Sequence, residues 1–226
     1  INYSNNWLLI REHGLDYVIK SIKEDLTEFK VIFDNWFFES SLGKLTDEES
    51  EISMALDQVK KDHAYEKNGA VWLESTKFGD DKDRVIIRED GRGTYLSADL
   101  AYHRNKLDRG FDTIINVWGS DHHGYIKRIE ATIEAMGYSK KQMQVQLVQF
   151  ANLFDNGSKV KMSTRSGNFY TLKQLIDDIG PDASRFYYLS KQADQHLDFD
   201  IGIARSNSKE NLYYYVQYAH ARICSV

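Results

Sequence analysis

The stretch DTIINVWGSDHHGYIKRIEATIEAMGYSKKQMQVQLVQF (112–150) decides the fold. Asp112–Trp118 is a short apolar run of the kind found in a strand buried on both faces. Gly119–Tyr125 is turn-like, Ile126–Met136 is helical in period, and Gly137 is the residue that ends such a helix. Gln144–Phe150 then alternates apolar and polar residues, as a strand does. A strand, a helix and a second strand in this order predict a right-handed βαβ unit, a parallel sheet and a doubly wound α/β fold.

Working outward, the periodicity predicts an amphipathic helix over 15–29 and a short strand over Lys30–Asp34. Thr46 and Glu49 have capping-box spacing, predicting a helix from there to about Lys61. Ala70–Leu73 and Arg84–Arg88 read as strands. Asp90-Gly91-Arg92-Gly93 reads as a hairpin turn leading into Thr94-Tyr95-Leu96, with Ser97 capping a helix over Ala98–Leu107. Downstream, Thr171 and Gln174 box the start of a helix reaching Ile179. Pro181 suits the first turn of the next helix, to about Lys191. Gln195–Asp200 reads as a turn between helices, and the aromatic tail from Ala204 as helical. The expected division is 1–203, a Rossmann-type α/β domain, and 204–226, the start of a helical domain. There is no internal repeat.

Composition narrows the function. Lys and Arg total 29 against 34 Asp and Glu, a net charge of −5, which excludes a uniformly basic nucleic-acid coat but not a local patch. The single cysteine, Cys224, excludes a disulfide framework and a cysteine-rich zinc site. No apolar run approaches a membrane span. No signal-like segment opens the chain, so a cytoplasmic protein with no membrane association is expected. There is one proline, where average usage of about 5% would give roughly 11. The chain begins at Ile1 and ends in an apolar helical pattern, so a piece of a longer protein is expected.

Three segments offer chemistry. Lys159, Lys161 and Arg165 place three cations in seven residues, between Gly157 and Gly167. Such a loop suits a triphosphate whose charge shifts as pyrophosphate leaves; a plain solvated basic loop is the alternative. Gly119-Ser120-Asp121-His122-His123 follows a parallel strand at its carboxyl end, where α/β sheets bind ligands. It is alternatively an ordinary βα turn; a metal set of Asp121, His122 and His123 would need a further ligand from elsewhere. Asp99 lies one helical turn after Tyr95, and a carboxylate beside an aromatic ring suits a planar cation. Asp99 could instead simply complement a helix dipole. Cys224 is expected to pack.

Taken in order, FDNWFFESSL (33–42), FGDDKDRVI (78–86), TYLSADLAYHRNKLDRGFD (94–112), NVWGSDHHGYIKR (116–128), VKMSTRSGNFYTL (160–172), DQHLDFD (194–200) and YYVQYAHARICS (214–225) resemble the arginyl-tRNA synthetases, a class I aminoacyl-tRNA synthetase family. The resemblance implies ligation of L-arginine to tRNA(Arg) through arginyl-adenylate, with ATP as substrate, Mg²⁺ accompanying it, and a monomeric enzyme. Lys161, Met162 and Ser163 match the first three positions of the class I Lys-Met-Ser-Lys-Ser loop, which holds ATP phosphates. Thr164 stands where the second lysine is usual, and Lys159 or Arg165 would supply that charge. Tyr95 and Asp99 match the tyrosine and aspartate used on the substrate arginine. Asp121 and His122 fall in the stretch bordering the arginine pocket, and Gly119, His122 and His123 in that bordering the nucleoside. No His-Ile-Gly-His-like segment is present. By the resemblance it belongs upstream of Ile1, so this chain alone is expected to be inactive or nearly so. The competing expectations are another adenylyl transferase of the same fold class and a non-catalytic synthetase-like module binding RNA or protein.

Overall fold

A computed structural model describes residues 3–160 and 169–226. Its elements, in chain order, are α1 (Tyr3–Glu28), α2 (Glu51–His63), β1 (Ala64–Lys67), β2 (Ala70–Leu73), β3 (Arg84–Ile87), α3 (Tyr95–Asp108), β4 (Ile114–Gly119), α4 (Ile126–Ala135), β5 (Met143–Val148), β6 (Ala151–Asp155), β7 (Ser158–Lys159), α5 (Leu172–Ile179), α6 (Pro181–Leu189), β8 (Leu197–Asp200), α7 (Ile201–Arg205) and α8 (Leu212–Cys224). The chain divides into two compact units, one formed by 35–149 and the other by 1–34 with 150–226. Among the described residues no helix is long and apolar enough to cross a membrane.

In the 35–149 unit the predicted βαβ forms. Strands β4 and β5 pair in parallel from Ile114 opposite Met143 to Gly119 opposite Val148. The connecting helix α4 buries Ile129, Ala131 and Ile133. Helices α2 and α3 add Ala55, Leu56, Val59, Leu100 and Ala101 to the same core. An antiparallel sheet β1-β2-β3 completes the unit. Its β1–β2 loop is Asn68-Gly69, both residues at positive φ (52° and 74°), as the tight two-residue hairpin turn demands.

In the other unit β6 pairs antiparallel with β7 and parallel with β8. Asn156-Gly157, at φ 49° and 79°, makes the second such hairpin loop. Phe199, fully buried, centres a core with Leu153, Leu175, Leu197 and Ile201.

Several expectations change. The strand expected over Lys30–Asp34 is absent because Lys30 adopts φ 61° and terminates α1. Its N–H donates to the Thr27 carbonyl, and that of Val31 to Leu26, satisfying the helix's last acceptors. Thr46 does not cap α2, because residues 44–50 form consecutive turns. Ser50 is the cap, its hydroxyl accepting from the Ser53 N–H at 3.1 Å. Tyr95-Leu96 is helix rather than strand. Thr94 caps α3, and Ser97 is the reciprocal box partner, accepting the Thr94 N–H at 3.0 Å. Gln195–Asp200 is not a helix-linking turn, since Leu197–Asp200 is strand β8. The tail breaks into α7 and α8, the latter capped by Asn211. The boxed start of α5 and Pro181 at the first turn of α6 form as expected.

Candidate active site

Because α3 starts at Tyr95, one face of it carries Tyr95, Asp99, Tyr102, His103 and Lys106, at spacings of three and four residues. That face lines a cleft of about 840 Å³, whose opposite wall is β4 from Ile115 to Gly119, with His122 and Tyr125 from the turn that follows. The cleft thus runs along a parallel strand to the turn at its carboxyl end. A smaller hollow of about 250 Å³ shares Tyr95, Asp99 and Tyr102 and adds Phe37, Glu39 and Leu42. Phe37 stacks on Tyr102 with ring centroids 4.4 Å apart.

Asp99 is the acidic centre of this wall. The Tyr125 hydroxyl donates to its Oδ2 at 2.6 Å. Burial, and then the bond to Asp99, push the Tyr125 phenol up to about 12, so it is a permanent donor at neutral pH. With one oxygen fixed, the carboxylate is oriented to offer the other to a cation in the cleft. Tyr95 is 84% exposed at the mouth, its ring open to stack on a ligand.

Beneath Asp99 lies a polar network. The His103 Nδ1 faces the Asp99 backbone carbonyl at 2.8 Å, and so must carry the proton. His103 Nε2 then accepts from Asn116 Nδ2 at 3.0 Å and from Lys106 Nζ at 3.3 Å, while Lys106 also donates to Asn116 Oδ1 at 2.7 Å. This assignment pairs every polar atom of the three side chains that faces another, and it ties α3 to β4 directly below the Asp99 turn. Burial, then the Lys106 charge, lower the imidazole to about 4. Burial also lowers the Lys106 amine to about 8, against the pull of Asp99.

The sign of the resulting pH dependence follows. An unfolded chain protonates His103 near the ordinary imidazole value of 6.5, whereas the folded one resists until about 4. The stabilisation is full above 6.5 and is lost as pH falls toward 4, amounting to about 3 kcal/mol across the window. In His103→Gln the decline in melting temperature between pH 6.5 and 5, where carboxylates contribute little, should flatten. An unchanged decline would take His103 out of the acid response.

The sequence-predicted residues divide between the two units. Tyr95, Asp99, Gly119 and His122 meet at the cleft. Asp121 and His123 sit in the same single turn (Ser120–Tyr125) as His122, exposed and outside the cleft lining. The Asp121 carboxylate folds back over Gly119, where an added Cβ would lie 2.5 Å from its Oδ1. Lys159 is exposed on β7 in the other unit. Lys161, Met162, Ser163 and Arg165 lie outside the described residues. The sequence also places Tyr102 and His103 after Asp99 on this segment, and both line the cleft. Spacing did not reveal Glu39, Lys106, Asn116 or Tyr125, which the fold brings to Asp99 from other segments or from further along α3; the i+3 continuation from His103 would have found Lys106.

The model of the class I tRNA synthetase (R) catalytic domain matches residues 13–199. This chain belongs to that family. Arginine–tRNA ligases of Bacillus licheniformis and Bacillus subtilis are each 50% identical to it over 224 residues, covering 99% of this chain and 40% of theirs. The chain therefore spans about two fifths of the length of these curated relatives. Among solved structures, a Campylobacter jejuni protein described as an arginyl-tRNA synthetase superposes with TM-score 0.83 at 42% identity, covering 92% of this chain and 44% of that one. The Thermus thermophilus arginyl-tRNA synthetase, at 16% identity and TM-score 0.76, shares the fold; 94% of this chain and 45% of that one align. The class I α/β fold that the resemblance implied is thus the fold the family has.

Proposed function

We propose that the protein of which this chain forms part ligates L-arginine to tRNA(Arg) at the expense of ATP. The observation that carries this reading is Asp99, fixed by Tyr125 at the edge of an aromatic-walled cleft along a parallel strand. Asp99 receives the guanidinium through the oxygen that Tyr125 leaves free, and Tyr95 covers its plane. Glu39, on the wall of the adjoining hollow, adds a second acceptor for the same cation or for the substrate's α-ammonium.

With the side chain anchored, the α-carboxylate is held for attack on the ATP α-phosphate, forming arginyl-adenylate and pyrophosphate. A ribose hydroxyl of the terminal tRNA adenosine then takes the arginyl group. The residues' contribution is positioning and charge stabilisation. Gly119 and His122, which line the cleft, border the arginine and the nucleoside, while Asp121 and His123 stand beside them outside its lining. Lys161, Met162 and Ser163 hold the phosphates, with Lys159 or Arg165 in place of the usual second lysine. Among the described residues no three His, Cys, Asp or Glu side chains gather as a metal cage. Mg²⁺ accompanies ATP and is held mainly by phosphate oxygens. The protein acts in the cytoplasm as a monomer. Residues from about 204 open its helical anticodon-binding domain, which, with segments outside this chain, supplies most of the tRNA contact that a charge of −5 does not.

ATP–pyrophosphate exchange by the protein at its natural length, run with each amino acid and with or without tRNA, tests the reading. Exchange with arginine, dependent on tRNA, is expected. Exchange with a different acid would mark another adenylyl transferase, and no exchange at all would mark a non-catalytic module.

A further inference from the structure

Lys106 lines the same cleft as Asp99, yet nothing in the proposed recognition uses its charge. It lies seven residues further along α3, two turns on and on the same face, so an anion and a cation share one wall. That wall runs from an open mouth to a buried end. Tyr95, at the mouth, is 84% exposed, whereas His103 and Asn116, which hold Lys106, are 3% and 6% exposed. The Lys106 side chain leans back toward the start of its helix, and so toward Asp99. There its ammonium meets three partners: Asn116 Oδ1 at 2.7 Å, His103 Nε2 at 3.3 Å and the Tyr102 ring, whose centroid is 4.4 Å away. Lys106 also lines a second hollow of about 360 Å³, with Arg109, Phe111 and Ile115, and so forms the partition between that hollow and the cleft. Burial lowers the amine only to about 8, against the pull of Asp99, and the charge persists at neutral pH.

We propose that Lys106 is the charged floor of the arginine pocket and a specificity-determining residue, setting the depth at which a cationic side chain can bind. The inference rests on Asp99 as the partner of the guanidinium and adds what stops a substrate from passing it. A guanidinium at Asp99 gains an opposite charge. One pushed deeper leaves that partner and approaches a like charge in a half-buried place, where screening is weak. The cleft therefore offers a cation one favourable depth. A role for Lys106 as the partner of the substrate's carboxylate fits less well, because its three existing partners take up the three donors of an ammonium. Charge is what makes this floor selective, since an uncharged one would reject an extra methylene by only about 10- to 200-fold.

The test compares L-arginine with L-homoarginine, one methylene longer, in ATP–pyrophosphate exchange with tRNA by the protein at its natural length and neutral pH. Lys106→Met keeps an apolar stem and removes the charge. Lys106→Gln also removes it but keeps an N–H donor for Asn116, and Lys106→Arg retains a charge. The wild type is expected to prefer arginine by about a thousandfold or more in kcat/KM, beyond what an apolar floor would give. In the methionine and glutamine variants that preference should shrink by about tenfold or more, chiefly through a lower KM for homoarginine, while Lys106→Arg should keep it. The ratio is a readout that a merely structural role would not move, since a disturbed network lowers both substrates together. Where an uncharged variant turns over too slowly, equilibrium binding of the two amino acids supplies the same ratio. A preference within about threefold of wild type in both uncharged variants would overturn the proposal, as would an equal loss of preference in Lys106→Arg. A wild type that prefers arginine by less than about tenfold would overturn it without any variant. Asp99→Asn, measured alongside, separates the two ideas. Unimpaired arginine activation in that variant overturns both, whereas impaired activation with an unchanged preference in the Lys106 variants overturns the floor alone.

Discussion

Asp99→Ala is expected to lower kcat/KM for arginine activation by about a hundredfold to a few thousandfold, most of it in KM or as complete loss at accessible arginine concentrations. The figure comes from the cost of leaving a desolvated charge without its partner, about 3–5 kcal/mol, at about 1.4 kcal/mol per factor of ten. Asp99→Asn is the sharper variant. Its carbonyl oxygen still accepts from Tyr125, so α3 and the network below keep their arrangement, but the other atom becomes an N–H₂ that points a donor at a donor. The asparagine variant should therefore fold normally and activate arginine as poorly as the alanine variant, with the KM for ATP near wild type. Arginine-dependent exchange within about threefold of wild type in Asp99→Asn, less than the about 1 kcal/mol expected of even one neutral hydrogen bond, would remove Asp99 from substrate recognition. On the proposed role, the same carboxylate would also set selectivity. A neutral or shorter amino acid leaves Asp99 unpaired, and a site built around a buried polar partner rejects such substrates far more strongly than an apolar pocket could.

How much of this was legible in the sequence depends on whether each feature is encoded locally. The βαβ unit was legible because the hydrophobic period switches from strand to helix and back within 39 residues, 112–150. The Tyr95–Asp99 pair was legible as a four-residue spacing, although the helix that realises it starts at Tyr95, three residues earlier than expected. Two hairpins went unread although their signal is among the strongest in short-range structure: Asn68-Gly69 and Asn156-Gly157 each place two residues at positive φ between paired strands. The flanking β1 and β7 strands are polar and short, so alternation alone could not raise them. Lys30 hides a helix stop, because nothing in a lysine announces a left-handed conformation. At the start of α3, Thr94 and Ser97 are three apart and both able to cap; only the bonds of the Ser97 hydroxyl to the Thr94 N–H and the Ile86 carbonyl show which one leads. The cleft's remaining chemistry is tertiary. Tyr125 reaches Asp99 across 26 residues, and Asn116 reaches His103 across 13. No spacing rule connects those pairs, since the register of β4 beside α3 is set by the core that Leu100, Leu107, Ile114 and Met143 share.

Lys161→Ala is expected to act on the other half of the reaction, lowering kcat for ATP–pyrophosphate exchange by about a hundredfold to a thousandfold, as removal of one preorganised electrostatic contact to a developing anion does. The arginine KM should hardly move, because Asp99 rather than Lys161 is the proposed partner of the guanidinium. The asymmetry follows from when charge appears. Pyrophosphate gains negative charge only as the α-phosphate bond breaks, so a cation at Lys161 is worth more in the transition state than in the bound ground state, and its loss falls on kcat. With Thr164 where the second lysine is usual, the proposed role leaves fewer cations to share the load, so Arg165→Ala should cost less than Lys161→Ala. Lys161→Arg should recover only part of the rate, since a planar fork on a different stem does not place its charge where a compact ammonium does. A variant in which only arginine affinity changed, with the maximal exchange rate intact, would contradict the assignment of Lys161 to the phosphates and return VKMSTRSG to the status of a basic surface loop.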